Sequence, residues 1–123
     1  MSKFFKFAVA VVVALFATTS LSACTSTNHI HMDHVSGVID VRTEGEFASG
    51  HLQGAINIDV EASDFASKVN TLDHAGDYVI YCHSGRRAGI ALTNMQSLGF
   101  IGTLTNAGGI DEAASATGLP IVQ

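Results

Sequence analysis

The stretch Tyr78-Val79-Ile80-Tyr81-Cys82-His83-Ser84-Gly85-Arg86-Arg87 decides the fold, because an apolar run gives way there to a polar loop. Residues 78–81 show no polar alternation, which predicts a strand covered on both faces, as in parallel sheets. Apolar residues at helical spacing follow the loop, and Gly99 stands where a glycine would end that helix. These residues are Ala88, Ala91, Leu92, Met95 and Leu98. A strand, a loop and a helix in this order are typical of α/β folds.

Three further β-branched or apolar runs lie on either side of this unit. They are residues 38–41, 55–58 and 100–105. Helical patterns alternate with these runs, which again predicts a parallel sheet. One helix begins after Ser63 as its N-cap and buries Phe65, Val69 and Leu72, and a last short helix spans residues 110–117. The sequence therefore predicts a single α/β domain.

Cys82 is the residue with the strongest prediction of chemistry. It follows the strand directly and precedes a helix, and ligands of open parallel sheets bind beyond the carboxyl ends of the strands. The positive end of the helix dipole and the charges of Arg86 and Arg87 all favour a thiolate over a thiol. We therefore expect Cys82 to be a nucleophile that is largely ionised at neutral pH. The alternative is that Cys82 is a small apolar residue filling a buried turn.

The length of the loop separates several kinds of cysteine chemistry. Cysteine phosphatases and arsenate reductases need an arginine in a C-x5-R loop, but Ala88 occupies that position and the arginines come one and two residues earlier. Thiol-disulfide oxidoreductases normally use C-x-x-C, and Gly85 occupies the place of the second cysteine. A short loop fits a single sulfur atom better than a phosphoryl group. Both alternatives are therefore disfavoured.

An ordered set of motifs between residues 38 and 121 resembles the rhodanese domain. The motifs are Ile39-Asp40-Val41-Arg42, Glu46-Phe47, Gly50-His51-Leu52, Gly54-Ala55-Ile56-Asn57-Ile58, Cys82-x-x-Gly85-x-Arg87 and Asn106-Ala107-Gly108-Gly109. The last of these is similar to the small single-domain rhodaneses of the bacterial periplasm. The family usually places a helix before its first strand, where this chain has only the short segment 28–36.

The resemblance implies a three-layer α/β/α fold with a central parallel sheet of four to five strands. It also implies a sulfurtransferase that moves sulfane sulfur from a donor such as thiosulfate to a thiol or cyanide-like acceptor, through a persulfide on Cys82. No metal or organic cofactor is implied. The alternative function is a non-catalytic envelope lipoprotein that binds sulfur compounds or a protein partner.

The remaining site residues fall into two groups. We predict that the loop binds substrate through His83, Ser84, Gly85, Arg86 and Arg87. Three residues from the first strand and beyond, Asp40, Arg42 and Glu46, are predicted to support the pocket as an ion-pair network that fixes a loop. His51 is predicted to be structural.

Length and charge exclude other classes of function. The chain has 123 residues, with 6 Lys+Arg against 11 Asp+Glu and a net charge of -5, so one domain without a basic surface is expected. Nucleic-acid binding is disfavoured, because phosphate backbones need clustered cations. We expect a monomer whose partners are small molecules and a membrane.

The first residues predict export and lipidation. Two lysines precede an apolar run over residues 7–17, which is typical of a secretory signal and too short to span a bilayer. Leu21-Ser22-Ala23-Cys24 resembles a bacterial lipobox, which makes Cys24 the lipidated first residue of the mature chain. By resemblance to lipoprotein sorting in Gram-negative envelopes, Thr25 in place of an aspartate implies the outer rather than the inner membrane, on the periplasmic side. If Cys24 is not lipidated, a disulfide between Cys24 and Cys82 is the alternative.

The predicted organisation is therefore a signal peptide over residues 1–23, a lipidated tether over 24–34 and the domain over 35–123. Removing residues 1–23 leaves four Lys+Arg against all 11 acidic residues, a net charge of -7. The tether carries His29, His31 and His34. This spacing permits binding of a transition metal, but a solvated linker is the favoured interpretation, since such a segment gives the imidazoles no supporting hydrogen bonds.

Overall fold

A four-stranded parallel sheet organises the protein. The computed structural model describes residues 29–123, and the sheet is formed by β1 (Gly37–Asp40), β3 (Ile56–Asn57), β4 (Tyr78–Cys82) and β5 (Leu104–Gly109). Its order is β3-β1-β4-β5, so the central strands are β1 and β4. The register pairs Asp40 with Tyr81, and all neighbouring strands run parallel. The carboxyl ends of all four strands therefore meet at one edge.

Four helices and a small second sheet complete the domain. The helices are α1 (Glu44–Ser49), α2 (Phe65–Val69), α3 (Arg86–Ser97) and α4 (Ile110–Thr117). The second sheet pairs β2 (His51–Leu52) with β6 (Ile121–Val122) in antiparallel orientation. A short 3-10 helix, Met32–His34, precedes β1.

The alternation of side chains along β4 creates the layers of the fold. Ile80 and Cys82 face the side covered by α2 and α3, where Phe65, Val69 and Met95 are also buried. Val79 and Tyr81 face the opposite side, which α4, β2 and the segment before β1 cover. The predicted three-layer α/β/α fold with a central parallel sheet is confirmed.

The predicted elements differ from the observed ones mainly at their ends. The last strand begins at Leu104 rather than at residue 100, because Phe100 packs against His74, with ring centroids 4.1 Å apart. The helix after Ser63 has Asp64 as its N-cap, and the Asp64 side chain forms no capping hydrogen bond. The helices after β4 and β5 lie where the sequence predicts them, and Gly99 has the left-handed φ of +96° that ends α3.

Helix α1 and the second sheet were not predicted. Helix α1 begins with a capping box, in which the Thr43 side chain accepts the Glu46 N–H and the Glu46 carboxylate accepts the Thr43 N–H. At its end, the ring of His51 stacks on Phe47 with centroids 3.8 Å apart, and His51 Nδ1 lies 3.0 Å from the Phe47 carbonyl oxygen. His51 thus joins α1 to β2, in agreement with a structural role.

Part of the predicted tether packs on the domain. The Ile30 N–H donates to the Ala116 carbonyl at 2.8 Å, and Ile30 and Met32 pack on the side of the sheet that α4 covers. Residues 30–34 of the predicted tether are therefore in contact with the domain. The predicted signal peptide, the lipobox and Cys24 lie outside the described residues. Within residues 29–123, no helix is long and apolar enough to cross a bilayer.

Candidate active site

Cys82 is the last residue of β4, and the chain turns sharply after it into α3. The turn is made at Gly85, which has a left-handed φ of +95° and is the N-cap of α3. Its N–H points back into the loop and donates to Cys82 Sγ at 2.9 Å. The structure therefore places the sulfur beside the N-terminus of α3, against one backbone donor.

Cys82 is buried, as in the alternative of a small apolar residue that fills a buried turn. The residue has 0% of its surface exposed and contacts the core between the sheet and α2 and α3. His83, Ser84 and Arg86 are exposed around it. The loop thus covers the sulfur, and a reactant has access only when a part of that cover moves.

The loop after β4 rests on the end of β5. Cys82 pairs with Gly109 across the sheet, with a register shift between Ile80 and Cys82. A Cβ atom at Gly109 would overlap the His83 carbonyl oxygen, and one at Gly85 would lie 3.3 Å from the Gly108 Cα. The absence of a side chain at Gly109 and at Gly85 therefore allows a close approach between the two backbones. Two successive glycines at a strand end are a sequence signal for this close packing, independent of the family resemblance.

Arg87 is engaged by a carboxylate and is therefore less available to a substrate than predicted. Its Nη1 and Nη2 donate to the two oxygens of Glu46 at 2.7 and 2.9 Å. The hydrogen bonds from Arg87 lower the pKa of Glu46 to about 2, against the opposing effect of partial burial. The same contact raises the pKa of Arg87. This ion pair joins α1 to the first turn of α3.

Asp40 and Arg42 form a separate, buried ion pair. Arg42 Nη2 lies 2.6 Å from Asp40 Oδ2 and also donates to the Gly50 carbonyl, and the guanidinium lies over the Tyr81 ring at 5.7 Å. The hydrogen bond to Asp40 raises the pKa of Arg42. The predicted network of Asp40, Arg42 and Glu46 is thus wrong in one respect: Glu46 pairs with Arg87, 41 residues away, and not with Arg42.

A groove lies beside the loop, not over Cys82. It has a volume of about 840 Å³ and is lined mainly by residues of β5 and α4, together with Ser84 and Gly85. Its lining does not include the cysteine.

The histidines before β1 do not come together with other metal ligands. His31 and His34 line a smaller groove near Tyr78. Across residues 29–123, no group of three His, Cys, Asp or Glu side chains has the geometry to hold a metal ion.

Comparison with known proteins agrees with this geometry. The rhodanese-like domain family matches residues 26–116. The thiosulfate sulfurtransferase PspE of Escherichia coli is 32% identical over 76 residues, which cover 62% of this chain and 72% of PspE. YrkF of Bacillus subtilis is 30% identical over 71 residues, 58% of this chain, but the chain spans only 37% of its length.

A solved structure shows the same fold. The structure described as rhodanese with anions from E. coli is 30% identical, with a TM-score of 0.57 over 71% of this chain and 96% of that one. The matched family, the parallel sheet and the loop that begins at Cys82 lead to one conclusion: the chain belongs to the rhodanese-like domain family, whose members include proteins named as thiosulfate sulfurtransferases.

Proposed function

We propose that the protein transfers sulfane sulfur from a donor such as thiosulfate to a thiophilic acceptor through a persulfide on Cys82. The observation that carries this proposal is the contact between the Gly85 N–H and Cys82 Sγ at the N-terminus of α3. A fixed N–H donor and the positive end of a helix stabilise negative charge on sulfur, in the thiolate and in the persulfide alike. The sulfurtransferase name of PspE supports the same reaction class.

The proposed first step is a displacement at sulfur. The Cys82 thiolate attacks the outer sulfur of thiosulfate, an S–S bond to the enzyme forms, and the S–S bond of the donor breaks. Sulfite leaves with the bonding electron pair, and the enzyme keeps a persulfide anion. In the second step an acceptor such as cyanide attacks the outer sulfur, which restores the thiolate and releases thiocyanate. Neither step gains or loses a proton, and ping-pong kinetics are expected.

Other residues of the loop have supporting parts in this proposal. Arg87 contributes positive charge near Cys82, although Glu46 offsets much of it. Arg86, His83 and Ser84 are exposed at the rim, where an incoming anion would meet them first. Since the sulfur itself is covered, these rim residues must move when the donor enters.

The decisive experiment follows sulfur onto Cys82. Purified protein is treated with thiosulfate and weighed by intact mass spectrometry, and thiocyanate production from cyanide is measured in parallel. We expect one added sulfur atom, located on the peptide that contains Cys82, and its removal by cyanide. The Cys82→Ser variant should gain no sulfur and produce no thiocyanate. Normal turnover by this variant would contradict the mechanism.

The burial of Cys82 favours a second candidate function. A thiol with no exposed surface is also compatible with a protein that binds sulfur compounds or a partner without turnover. The rate of alkylation by iodoacetamide separates the two. Rapid alkylation at neutral pH supports the transferase, and a rate typical of an inert buried thiol supports the binder.

We also propose that the protein acts as a monomer in the bacterial envelope, anchored through a lipid on Cys24. The apolar run and the sequence Leu21-Ser22-Ala23-Cys24 support this proposal. Several acyl chains would hold the protein on the membrane, at about 0.8 kcal/mol per buried methylene group. Labelling with palmitate, fractionation of the membranes and the Cys24→Ser variant test the anchor, and sedimentation of the variant tests the monomer.

A further inference from the structure

Hydrogen bonds hold both the N–H and the carbonyl oxygen of Gly85. On one side its N–H donates to Cys82 Sγ at 2.9 Å. On the other side its carbonyl oxygen accepts two hydrogen bonds. One comes from the Gly89 N–H at 3.1 Å, within α3, and the other from Asn106 Nδ2 at 2.9 Å. The Asn106 bond comes from a different element, the edge strand β5.

The Asn106 amide is itself fixed at its other end. Its Oδ1 accepts the Gly108 N–H at 2.9 Å, where Gly108 has a left-handed φ of +81°. One amide group thus joins the carboxyl end of β5 to the turn after β4. A Cβ atom at Gly85 would lie 3.3 Å from the Gly108 Cα, so the two backbones pass close to each other at this point.

We infer that Asn106 is a positioning residue, which holds Gly85 so that its N–H remains directed at Cys82 Sγ. Because Gly85 lacks a Cβ and lies in the left-handed region, few local interactions limit its two dihedral angles. The hydrogen bond from Asn106 fixes the peptide group that follows Gly85, and through the Cα it limits the orientation of the N–H. The inference rests on the proposed function in that it takes Cys82 as the reacting group.

The test compares two asparagines that bridge loops at the same edge of the sheet. Asn57 Nδ2 donates to the carbonyl oxygens of Asp40 and Arg42 at 3.1 and 2.9 Å, and its partners lie in the loop after β1. Asn106→Asp and Asn57→Asp each replace a donating amide by an isosteric carboxylate. Both variants add the same charge, but only the first removes a contact to the loop that holds Cys82.

We expect the rate of Cys82 alkylation by iodoacetamide at neutral pH to fall about threefold in Asn106→Asp, as for the loss of one partly solvated hydrogen bond. The midpoint of the pH profile of alkylation should move to higher pH, since the thiolate loses an oriented donor. The kcat for thiocyanate formation should fall by a similar factor. Asn57→Asp should leave the rate and the pH profile unchanged.

A second pair of variants separates the lost donor from the added charge. A carboxylate at position 106 would lie near Glu112, which approaches Gly108. The neutral isosteres Asn106→Leu and Asn57→Leu carry no such charge and should show the same contrast. An unchanged alkylation profile in folded Asn106→Leu, or an equal change in both Leu variants, would overturn the inference. If the parent protein forms no persulfide but the contrast in alkylation remains, the proposed function fails and the positioning role stands.

Discussion

Two loops leave neighbouring strands at the same edge of the sheet and differ in how their polar groups are used. The loop after β1 begins at the last strand residue, Asp40, and contains Arg42; their charges are buried and satisfied by each other and by the Gly50 carbonyl. The loop after β4 is held largely by backbone contacts and directs the Gly85 N–H at Cys82 Sγ. It also leaves Arg86 exposed. The charges of the first loop are paired within the protein, whereas the second loop leaves donors that a ligand can contact.

Because of this contrast, the loop after β4 has the properties of a functional site and the loop after β1 has those of a structural element. Both loops lie where ligands of parallel sheets bind, so position alone does not separate them. The two loops are distinguished by whether their polar side chains already have partners within the protein.

The Glu46–Arg87 ion pair connects the helices that follow the two loops. Glu46 lies in α1, after the first loop, and Arg87 lies in α3, directly after the second.

The largest effect is expected from breaking the pair in the loop after β1. In Asp40→Ala the Arg42 guanidinium would remain buried without a counter-charge, which costs about 3–5 kcal/mol of the free energy of unfolding. Urea denaturation measures this loss. The double variant Asp40→Ala with Arg42→Met removes both charges and should be less destabilised than the single variant. A loss below about 1 kcal/mol for Asp40→Ala would show that this loop does not depend on its ion pair.

The next largest effect on stability is expected at Gly109 of β5, against which the loop after β4 packs. In Gly109→Ala the new Cβ would overlap the His83 carbonyl oxygen, so the loop must shift. We expect a loss of about 1–3 kcal/mol in the free energy of unfolding and a slower alkylation of Cys82. Gly45→Ala is the control, because a Cβ at that helical position meets no atom within 4 Å. Equal alkylation rates in both variants would mean that the loop does not rest on β5.

The sequence predicts those parts of the fold that have a long local signal. The strand β4 and the helices α3 and α4 are recognised from an apolar run or a helical period that covers their whole length. Helix α1 has six residues, none of them buried, and β2 and β6 have two each. The capping residues Thr43 and Glu46 were visible in the sequence, but no apolar period followed them.

In the candidate active site, too, the sequence predicts features that are local in the chain but not contacts between distant residues. Cys82 and its loop could be placed because strand, loop and helix are consecutive in the chain. The partner of Arg87 and the contact of Asn106 with Gly85 could not, since they lie 41 and 21 residues apart and depend on the packing of different elements. The burial of Cys82 could not be predicted either, because it results from how the loop folds over the sulfur.

A smaller effect is expected from the ion pair that joins the two loops. The pKa of Glu46 is lowered from 4.5 to about 2, chiefly by its hydrogen bonds to Arg87, so its stabilisation is fully present above pH 4.5. It is lost progressively as the pH falls towards 2. The difference in unfolding free energy between the parent and Glu46→Gln should therefore shrink between pH 6 and pH 3. Because the Glu46 side chain is 35% exposed, this difference should stay below about 1 kcal/mol.

A matched substitution in a more exposed pair tests that expectation. Lys68 and Asp64 lie 3.2 Å apart with more than half of each side chain exposed. Asp64→Asn should change the unfolding free energy less than Glu46→Gln at pH 6. An equal change in both variants would mean that solvent screens the Glu46–Arg87 pair as fully as a surface pair.

The smallest effect concerns the cation that the loop after β4 leaves exposed. Between residues 29 and 123, Arg86 takes part in no ion pair, whereas Arg87 is held by Glu46. Arg86 is therefore the charge that an approaching anionic donor meets, although it is screened by solvent. In Arg86→Gln we expect the KM for thiosulfate to rise about threefold at low ionic strength with kcat unchanged, and the difference to vanish near 1 M salt, where the screening length falls to about 3 Å. Arg86→Lys keeps the charge and should behave as the parent protein. A fall in kcat without a change in KM would instead place Arg86 at the reacting sulfur, and the loop would then hold its ligand by a direct contact rather than by attracting it.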